Sequence, residues 1–293
     1  MPATISRPDW SEAPRPGAPA THGRVDLVFA RSGRRTVLVR QYAAAPLHVQ
    51  GILGQCAPDD PTTEVVLLNV AGGVVAGDLL EQVVTAGPGA TVRVLTAGAT
   101  RLYRAKADDA VPACVYITLR AAPGALVEYL PDETIPYAGA IYEQRVNVEL
   151  ARGGRAIVGE VIGPGRLHRG EVFAYRRLCL RLRADLNGRP VLRDKLVLEP
   201  TTWPPNHRAI LGLYTHLATL SYIGVDPDAE TSLVAALRLL IARHEIYGGV
   251  TIGYGEVVVL RAVGHSAYSL LHLLRDAAAL CRTQAPVPSE ERR

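Results

Sequence analysis

Short apolar runs separated by Gly, Pro and Asp recur along the chain from residue 24 onward. Runs rich in β-branched and aliphatic residues predict strands, and the connections before residue 200 leave no room for an amphipathic helix, which excludes βαβ units. Several runs are apolar on consecutive positions, as at residues 65–68, which is typical of strands buried on both faces. The pattern therefore predicts a mainly β fold, a layered or solenoid-like arrangement of many short strands. The predicted strands are residues 25–30, 36–41, 47–53, 64–70, 80–85, 91–96, 114–119, 125–129, 140–150, 155–162, 172–183 and 190–198.

Helical periodicity occurs only near the end of the chain. Asp226 and Pro227 supply a helix start, and apolar residues then follow at helical spacing over 228–243. A second helix is predicted from Ser266 to about residue 281, with a strand over 256–262 between the two. Both apolar stripes predict packing of the helices against the sheet, with a partner-binding groove as the alternative.

A turn motif occurs twice, about 35 residues apart. Residues 86–90 and 121–125 both read A-x-P-G-A, with Pro at the first central position of a turn and Gly where a positive φ is favoured. Residues 151–155 form a degenerate third copy. The recurrence is typical of stacked strand layers.

These signals divide the chain into three parts. Residues 1–23 are Pro-rich and predicted to be disordered, residues 24–283 form a single β-rich domain that ends in the helices, and residues 284–293 form a flexible tail. No run of eighteen apolar residues or signal peptide is present, and the four cysteines are scattered, which predicts buried thiols and a cytoplasmic protein that does not bind membranes.

Charge narrows the function classes further. The 293 residues carry 32 Lys and Arg against 28 Asp and Glu, and only Lys106 and Lys195 are lysines. Because basic residues nowhere form more than a pair, the sequence predicts no nucleic-acid binding. The abundance of arginine over lysine has two possible reasons. One is the codon bias of the genome, and the other is internal ion pairs, because arginine forms bidentate pairs with carboxylates.

A glycine-rich segment follows the strand at 64–70. Gly72 and Gly77 have the spacing of a phosphate loop, but Asp78 stands where such a loop carries lysine, so no nucleotide site is predicted. Asp78 is predicted either to cap the turn or to be a carboxylate placed for function.

Two later segments combine charge with rigid turns. Residues 128–137 hold the three acids Glu128, Asp132 and Glu133, and prolines at 131 and 136 make the segment stiff. Carboxylates of this kind bind divalent metals weakly, which suits an ion that is bound only in transit. Residues 160–171 hold Glu160, Arg166, His168, Arg169 and Glu171, which favour an Arg-carboxylate lattice over an acid/base centre. The sequence contains no complete catalytic constellation, and the protein is predicted not to be an enzyme.

Taken in order, these motifs resemble the urease accessory protein family UreD, also called UreH. The resemblance covers most of residues 24–283 and rests on Leu68 to Asp78, Leu95 to Arg104, Glu128 to Tyr137 and Gly165 to Glu171. The residues that match the glycine, aromatic and basic positions of the family are Gly72, Gly73, Gly77, Tyr103, Arg104, Arg166 and Arg169. The family's Pro-Arg-x-Trp ending is absent.

The resemblance implies a non-catalytic scaffold that binds the urease apoprotein and the accessory protein UreF, and reaches the GTPase UreG through the UreF complex. It would assist nickel delivery to the urease active site, with Ni²⁺ bound only in transit and no tightly bound cofactor. The predicted transit or structural carboxylates are Asp78, Glu128, Asp132, Glu160 and Glu171.

Two alternatives remain open. One is a carbohydrate-active β-solenoid enzyme that uses Glu160, Glu171 and His168, because glycosidases need two carboxylates at a fixed separation. The other is a protein interaction module whose carboxylates bind no metal.

Overall fold

The structure, a computed structural model, describes residues 21–53, 60–106, 111–253 and 256–283. In chain order the strands are β1 (His22–Ser32), β2 (Arg35–Ala44), β3 (Leu47–Leu53), β4 (Thr62–Asn69), β5 (Leu79–Ala86), β6 (Thr91–Thr96), β7 (Thr100–Leu102), β8 (Ala113–Ala121), β9 (Leu126–Tyr129), β10 (Thr134–Pro136), β11 (Ile141–Leu150), β12 (Arg155–Ile162), β13 (Arg177–Leu186), β14 (Arg189–Leu198), β15 (His216–Ile223), β16 (Tyr247–Ile252) and β17 (Val257–Gly264). The helices are α1 (Pro227–Arg243) and α2 (Ala267–Thr283), and a 3-10 turn spans Leu167–Arg169.

The strands form two sheets. Sheet A has the order β14-β13-β11-β8-β5-β1-β2, and the main path of sheet B has the order β16-β17-β15-β12-β9-β6-β4-β3. The central strands of both sheets run parallel, whereas the strands at both margins pair antiparallel. The mainly β, solenoid-like prediction is confirmed.

The chain crosses from one sheet to the other after every central strand. Each coil passes from sheet A through a tight turn into sheet B, and it returns by a longer connection to the next strand of sheet A. Connections of this kind give parallel pairing without helices, because the crossover runs through the opposite sheet.

The repeated turn motif forms the tight turns. Turns 87–90, 122–125 and 151–154 lie on one another, and the Gly89 amide donates to the Pro123 carbonyl at 3.0 Å while the Gly124 amide donates to the Gly153 carbonyl at 3.0 Å. Gly154 is required at this contact, since a Cβ there would lie 2.5 Å from the Ala121 carbonyl oxygen. The sequence recurrence therefore corresponds to three stacked coils.

Two apolar layers hold the molecule together. The larger lies between the sheets, and the second lies between sheet B and the helices. Along β12 the side chains alternate between the layers, since Val158 faces sheet A and Ile157 faces the helices. Because side chains alternate along a strand, each polar residue on β12 faces either sheet A or the helices.

Both helices were predicted correctly, and their apolar stripes are core. Leu233, Leu237 and Ile241 of α1 and Leu270 and Leu273 of α2 are buried against sheet B. The face predicted to pack is thus not available as a groove.

Other predictions need correction. The strand predicted over 172–183 begins only at Arg177, because residues 172–176 belong to a return connection that includes Phe173 at a positive φ. Strands β7, β10, β15 and β16 were missed, since β7 and β10 are three residues long and β16 contains two glycines. Cys114, Cys179 and Cys281 are buried free thiols, as predicted. Cys56, the tail at 284–293 and nearly all of the N-terminal segment lie outside the described residues, while residues 22 and 23 belong to β1.

Candidate functional site

Most of each motif segment lies in a return connection from sheet B to sheet A, while Leu68, Leu95 and Glu128 still belong to strands β4, β6 and β9. Residues 70–78 join β4 to β5, residues 130–140 join β9 to β11, and residues 163–176 join β12 to β13. Of the connection from β6 to β8, the structure describes residues 97–106, 111 and 112. Since successive coils stack, these connections lie beside one another at the end of the molecule opposite the tight turns. We call this region the motif end.

Hydrogen bonds and short strand pairs join the four connections. Val74 forms a parallel bridge with Leu102, β7 pairs with β10, and Thr134 of β10 pairs with Ile162. The Thr100 amide donates to the Glu133 carbonyl at 2.8 Å. The motif end is therefore a continuous backbone network.

Gly73 allows Tyr103 to pack tightly against the first connection. A Cβ on Gly73 would lie 2.7 Å from the Arg101 carbonyl oxygen and closer still to the Tyr103 ring. Gly72 and Gly77 adopt positive φ values of 75° and 90°. The glycines thus shape the turn, which agrees with the absence of a phosphate-loop lysine.

Asp78 caps this turn. Its carboxylate accepts a hydrogen bond from the Val75 amide at 2.9 Å, and its own amide donates to the Val75 carbonyl at 3.0 Å. The side chain is 8% exposed. The sequence left two roles open for Asp78, and the contacts in the structure are those of a residue that caps a turn.

An aromatic and basic chain crosses the motif end. The rings of Tyr103 and Tyr137 meet edge to face at 5.3 Å, and the Arg166 guanidinium carbon lies 4.2 Å from the centre of the Tyr137 ring. Arg166 also pairs bidentately with Glu171, with Nε donating to Oε2 at 2.8 Å. Glu171 accepts a further hydrogen bond from the Ala138 amide at 3.1 Å.

The Arg166 pair changes the chemistry of Glu171. Its hydrogen bond holds the pKa of the Glu171 carboxyl below the usual value, and the same pair raises the pKa of Arg166. Arg169 lowers the Glu171 pKa further by charge. Glu171 is thus a paired anion, and Arg166 already occupies both of its carboxylate oxygens.

The remaining basic positions of the motif end are exposed. Arg104 lies on the surface with its aliphatic stem beside Gly139, and His168 and Arg169 are exposed on the 3-10 turn. These side chains are accessible to a partner.

Glu128 lies on the face of sheet B that is turned away from sheet A, beneath α2. It is fully buried, and its Oε2 accepts from Arg93 at 2.9 Å and from Arg282 at 2.7 Å. Arg93 also pairs with Glu64 on the neighbouring strand. Asp132 is nearby in sequence but lies at the surface, with one oxygen 3.5 Å from Arg275 of α2. Both carboxylates therefore attach α2 to the sheet.

Glu160 is different, because it faces the space between the two sheets. Its partner there is Gln144 of β11, whose side-chain amide donates to Oε1. Burial raises the pKa of Glu160 to about 7, and the charge of Asp194 contributes to the rise while the Gln144 hydrogen bond opposes it. Glu160 therefore changes charge near neutral pH.

Two cavities enter the space between the sheets. The first, about 150 Å³, opens beside Gly72, Gly98 and Arg101 at the motif end. The second, about 280 Å³, opens beside Lys195 and Arg261 and contains Glu160. Tyr129 and Gln144 line both cavities.

The five predicted carboxylates are not gathered at one point. Asp78 and Glu171 lie at the motif end, Glu128 and Asp132 lie on the α2 side of sheet B, and Glu160 lies between the sheets. Within the described parts of the chain, no group of three or more His, Cys, Asp or Glu side chains is arranged to hold a metal ion. A resident metal centre is thus not formed by these residues.

Sequence reasoning missed several residues at these places. Arg93 and Arg282 pair with Glu128 from positions 35 and 154 residues away, and such distant pairing leaves no local signal. The same holds for His216, whose Nε2 lies 3.3 Å from Glu133. Gln144 did have a signal, since it is a polar residue on the apolar side of an alternating strand.

The whole described region matches one protein family. The family described as "UreD urease accessory protein" matches residues 21–292. The chain belongs to the UreD family. Curated UreD relatives support the assignment over similar lengths.

One UreD relative, from Haloarcula marismortui, is 32% identical over 280 residues, which cover 93% of this chain and 91% of the relative. A protein named urease accessory protein UreD 2, from Streptomyces griseus, is 37% identical over 270 residues, covering 90% and 87%. The UreD protein of Herpetosiphon aurantiacus is 33% identical and covers 85% and 88%. As a UreD family member, the protein has a role in urease maturation.

Neither helix of the described chain is both long and apolar enough to cross a membrane.

Proposed function

We propose that this UreD family member is a cytoplasmic, non-catalytic scaffold that binds apo-urease and UreF, reaches UreG through UreF, and passes Ni²⁺ toward the urease active site. The observation that carries the proposal is the match to the UreD family over residues 21–292. Nickel is the cargo in this proposal, and it is held only in transit.

The interior supports a transit role for one of the predicted carboxylates in particular. Glu160 faces a cavity that opens at the surface, whereas Glu128 and Glu171 are neutralised by arginines. A lone carboxylate supplies too few ligands for tight binding, so an ion that reaches Glu160 can also leave. This suits transfer better than storage.

The role in maturation is tested by expressing the urease operon with and without this gene. We expect urease purified without the gene to contain several-fold less nickel and to lose activity in proportion. Equal nickel content and activity in the two preparations would overturn the proposal.

Nickel binding by the purified protein separates this proposal from a metal-free interaction module. We expect Glu160→Gln to weaken Ni²⁺ binding in calorimetric titrations, while Asp132→Ala and Glu171→Ala leave it nearly unchanged because both residues pair with arginines. If the wild-type protein binds no Ni²⁺, the module alternative is supported.

The exposed sides of the two helices are the proposed surface for UreF. Leu239 of α1 is 63% exposed and Tyr268 of α2 is 71% exposed, while the opposite faces pack on sheet B. We expect Leu239→Asp and Tyr268→Asp to reduce UreF pull-down without loss of folding. Leu237→Asp is the matched control, which should unfold the protein because Leu237 is buried. Unchanged pull-down by both surface variants places the contact elsewhere.

A further inference from the structure

The surface of the motif end combines exposed apolar side chains with exposed basic ones. Its aliphatic residues that are between 38% and 60% exposed are Val70, Val75, Val111, Leu167 and Val172. The exposed arginines and lysine of the same connections are Arg101, Arg104, Lys106 and Arg169. Exposed apolar groups that are rimmed by polar residues mark interaction sites on soluble proteins.

Hydrogen bonds between the connections hold this surface in one shape. The Gly77 amide donates to the Pro112 carbonyl at 3.4 Å and joins the first connection to the second. The Gly139 amide donates to the Ala174 carbonyl at 2.9 Å and joins the third to the fourth, and the stem of Arg104 lies beside Gly139. A surface that is already ordered loses little conformational entropy when a partner binds.

The described surface is positive because its acids already have partners. Every described acid of the connections contacts a backbone amide or a basic side chain of the molecule, and these acids are Asp78, Asp132, Glu133 and Glu171. Arg101, Arg104, Lys106 and Arg169 form no ion pair among the residues that the structure describes, while Asp108 and Asp109 lie outside those residues. The described arginines and lysine are therefore available to carboxylates of a partner.

We propose that the motif end docks a protein whose contact surface carries carboxylates around apolar side chains, and that this protein is apo-urease. The proposal rests on the scaffold function proposed above and adds the surface that holds one of its partners.

The exposed aliphatic residues favour a protein over a nucleic acid. Nucleic acids are bound by basic residues at the phosphates and by open aromatic rings that stack on the bases. At the motif end the rings of Tyr103 and Tyr137 already contact each other, and Arg166 lies over Tyr137. Aliphatic side chains gain from contact with apolar groups of another protein, which removes them from water.

Two observations assign this surface to apo-urease rather than to UreF. The surface proposed for UreF is formed by the helices on the outer face of sheet B, where Leu239 and Tyr268 are exposed, so it leaves the return connections free. The first cavity opens within the motif end, beside Gly72, Gly98 and Arg101. A partner docked at the motif end therefore faces that opening, which suits the protein that receives the cargo.

Binding of the purified full-length protein to apo-urease and to UreF can be compared by biolayer interferometry. We expect the double variant Arg104→Glu/Arg169→Glu to associate with apo-urease at least about tenfold more slowly, because attraction between opposite charges becomes repulsion. Its binding to UreF should not change. Arg152→Glu is the matched control, since Arg152 is exposed at the tight turns and should affect neither partner. Wild-type binding of apo-urease by the double variant overturns the proposal.

A second double variant tests the apolar part of the surface. Val70→Lys/Val172→Lys adds positive charge but removes apolar contact, and both positions are exposed, so circular dichroism should show an unchanged fold. We expect its affinity for apo-urease to fall at least about fivefold, as for loss of an interface anchor. Unchanged or tighter binding overturns the proposal, and so does equal affinity of the wild-type protein for a mixed-sequence single-stranded RNA, because a surface that attracts any polyanion needs no apolar centre.

Nickel loading of urease distinguishes failure of this proposal from failure of the scaffold function. If removal of the whole gene leaves the nickel content of urease unchanged, the scaffold function fails. If the gene is required but Arg104→Glu/Arg169→Glu binds and loads urease as the wild type does, the scaffold function stands and the docking surface is wrong. We expect the gene to be required and this variant to load urease several-fold more slowly.

Discussion

At the scale of single residues, the motif end depends on side chains and backbone atoms of different connections that lie very close to one another. Gly73 lies against Tyr103 and the Arg101 carbonyl, and Tyr103 in turn contacts Tyr137, on which Arg166 stacks. Each contact joins a different return connection to the next. A small change at Gly73 is therefore expected to affect the whole set.

Gly73→Ala should destabilise the protein by about 2 kcal/mol, because the new Cβ overlaps the rigid Arg101 carbonyl as well as the Tyr103 ring. Denaturant unfolding measures this difference. Gly249→Ala is the control, since no atom lies within 4 Å of a Cβ at that position, and it should change stability by less than about 0.5 kcal/mol. Equal effects of the two changes would contradict the predicted overlap.

Glu160 should make stability depend on pH in a defined window. Its pKa is about 7 in the folded protein against an ordinary value of 4.5, so the folded state holds a proton that the unfolded state has released between these values. The free energy of unfolding then falls by at most about 3 kcal/mol as the pH rises from 4.5 to 7, and it stays constant at higher pH.

Glu160→Gln should remove this fall, as measured by urea unfolding at pH 5 and 7.5. Glu171→Gln is the control, because the lowered pKa of Glu171 confines its effect to more acidic pH, where stability is lost as pH falls. A fall of wild-type size in Glu160→Gln would show that another group is responsible.

At the scale of elements, α2 is attached to sheet B by charge as well as by its apolar face. Arg282 in its last turn reaches the fully buried Glu128, and Arg275 reaches Asp132. The sequence predicted the helix and its buried stripe, since both follow from residues three or four apart. The arginine attachments could not be predicted, because they depend on which strand lies beneath the helix.

Arg282→Ala should destabilise the protein by about 2 kcal/mol, which is less than the 3–5 kcal/mol for breaking an isolated buried pair, because Arg93 still neutralises Glu128. Hydrogen exchange should show faster opening of the last turn of α2. Arg275→Ala, at an exposed pair, is expected to cost less than about 1 kcal/mol. If the exposed pair matters more than the buried one, this account of the attachment is wrong.

At the scale of the whole molecule, the solenoid arrangement was predictable because the A-x-P-G-A turns carry a local signal that repeats. The pairing of sheet margins was not, since β2, β14 and β16 are joined to their sheets by ordinary antiparallel contacts. The motif segments come together at one end of the molecule because the coils stack. Their spacing along the sequence does not predict this.

The coil architecture predicts an order of local opening. Amides of the central strands β5, β8 and β11 should exchange with solvent at least about a hundredfold more slowly than those of β2, β14 and β16, which lie at sheet margins. Hydrogen exchange with mass spectrometry measures this order. Uniform protection across all six strands would mean that the molecule opens only as a unit.

The stacked tight turns have a consequence for how such a protein changes over evolution. Because each coil hydrogen-bonds to the next through equivalent turns, a coil can be gained or lost as a unit of about thirty to thirty-five residues while its neighbours keep their register. The distance between the two margins of the stack then changes in steps of about 4.8 Å, the spacing of paired strands. The length of the molecule along the stack therefore changes only by whole coils.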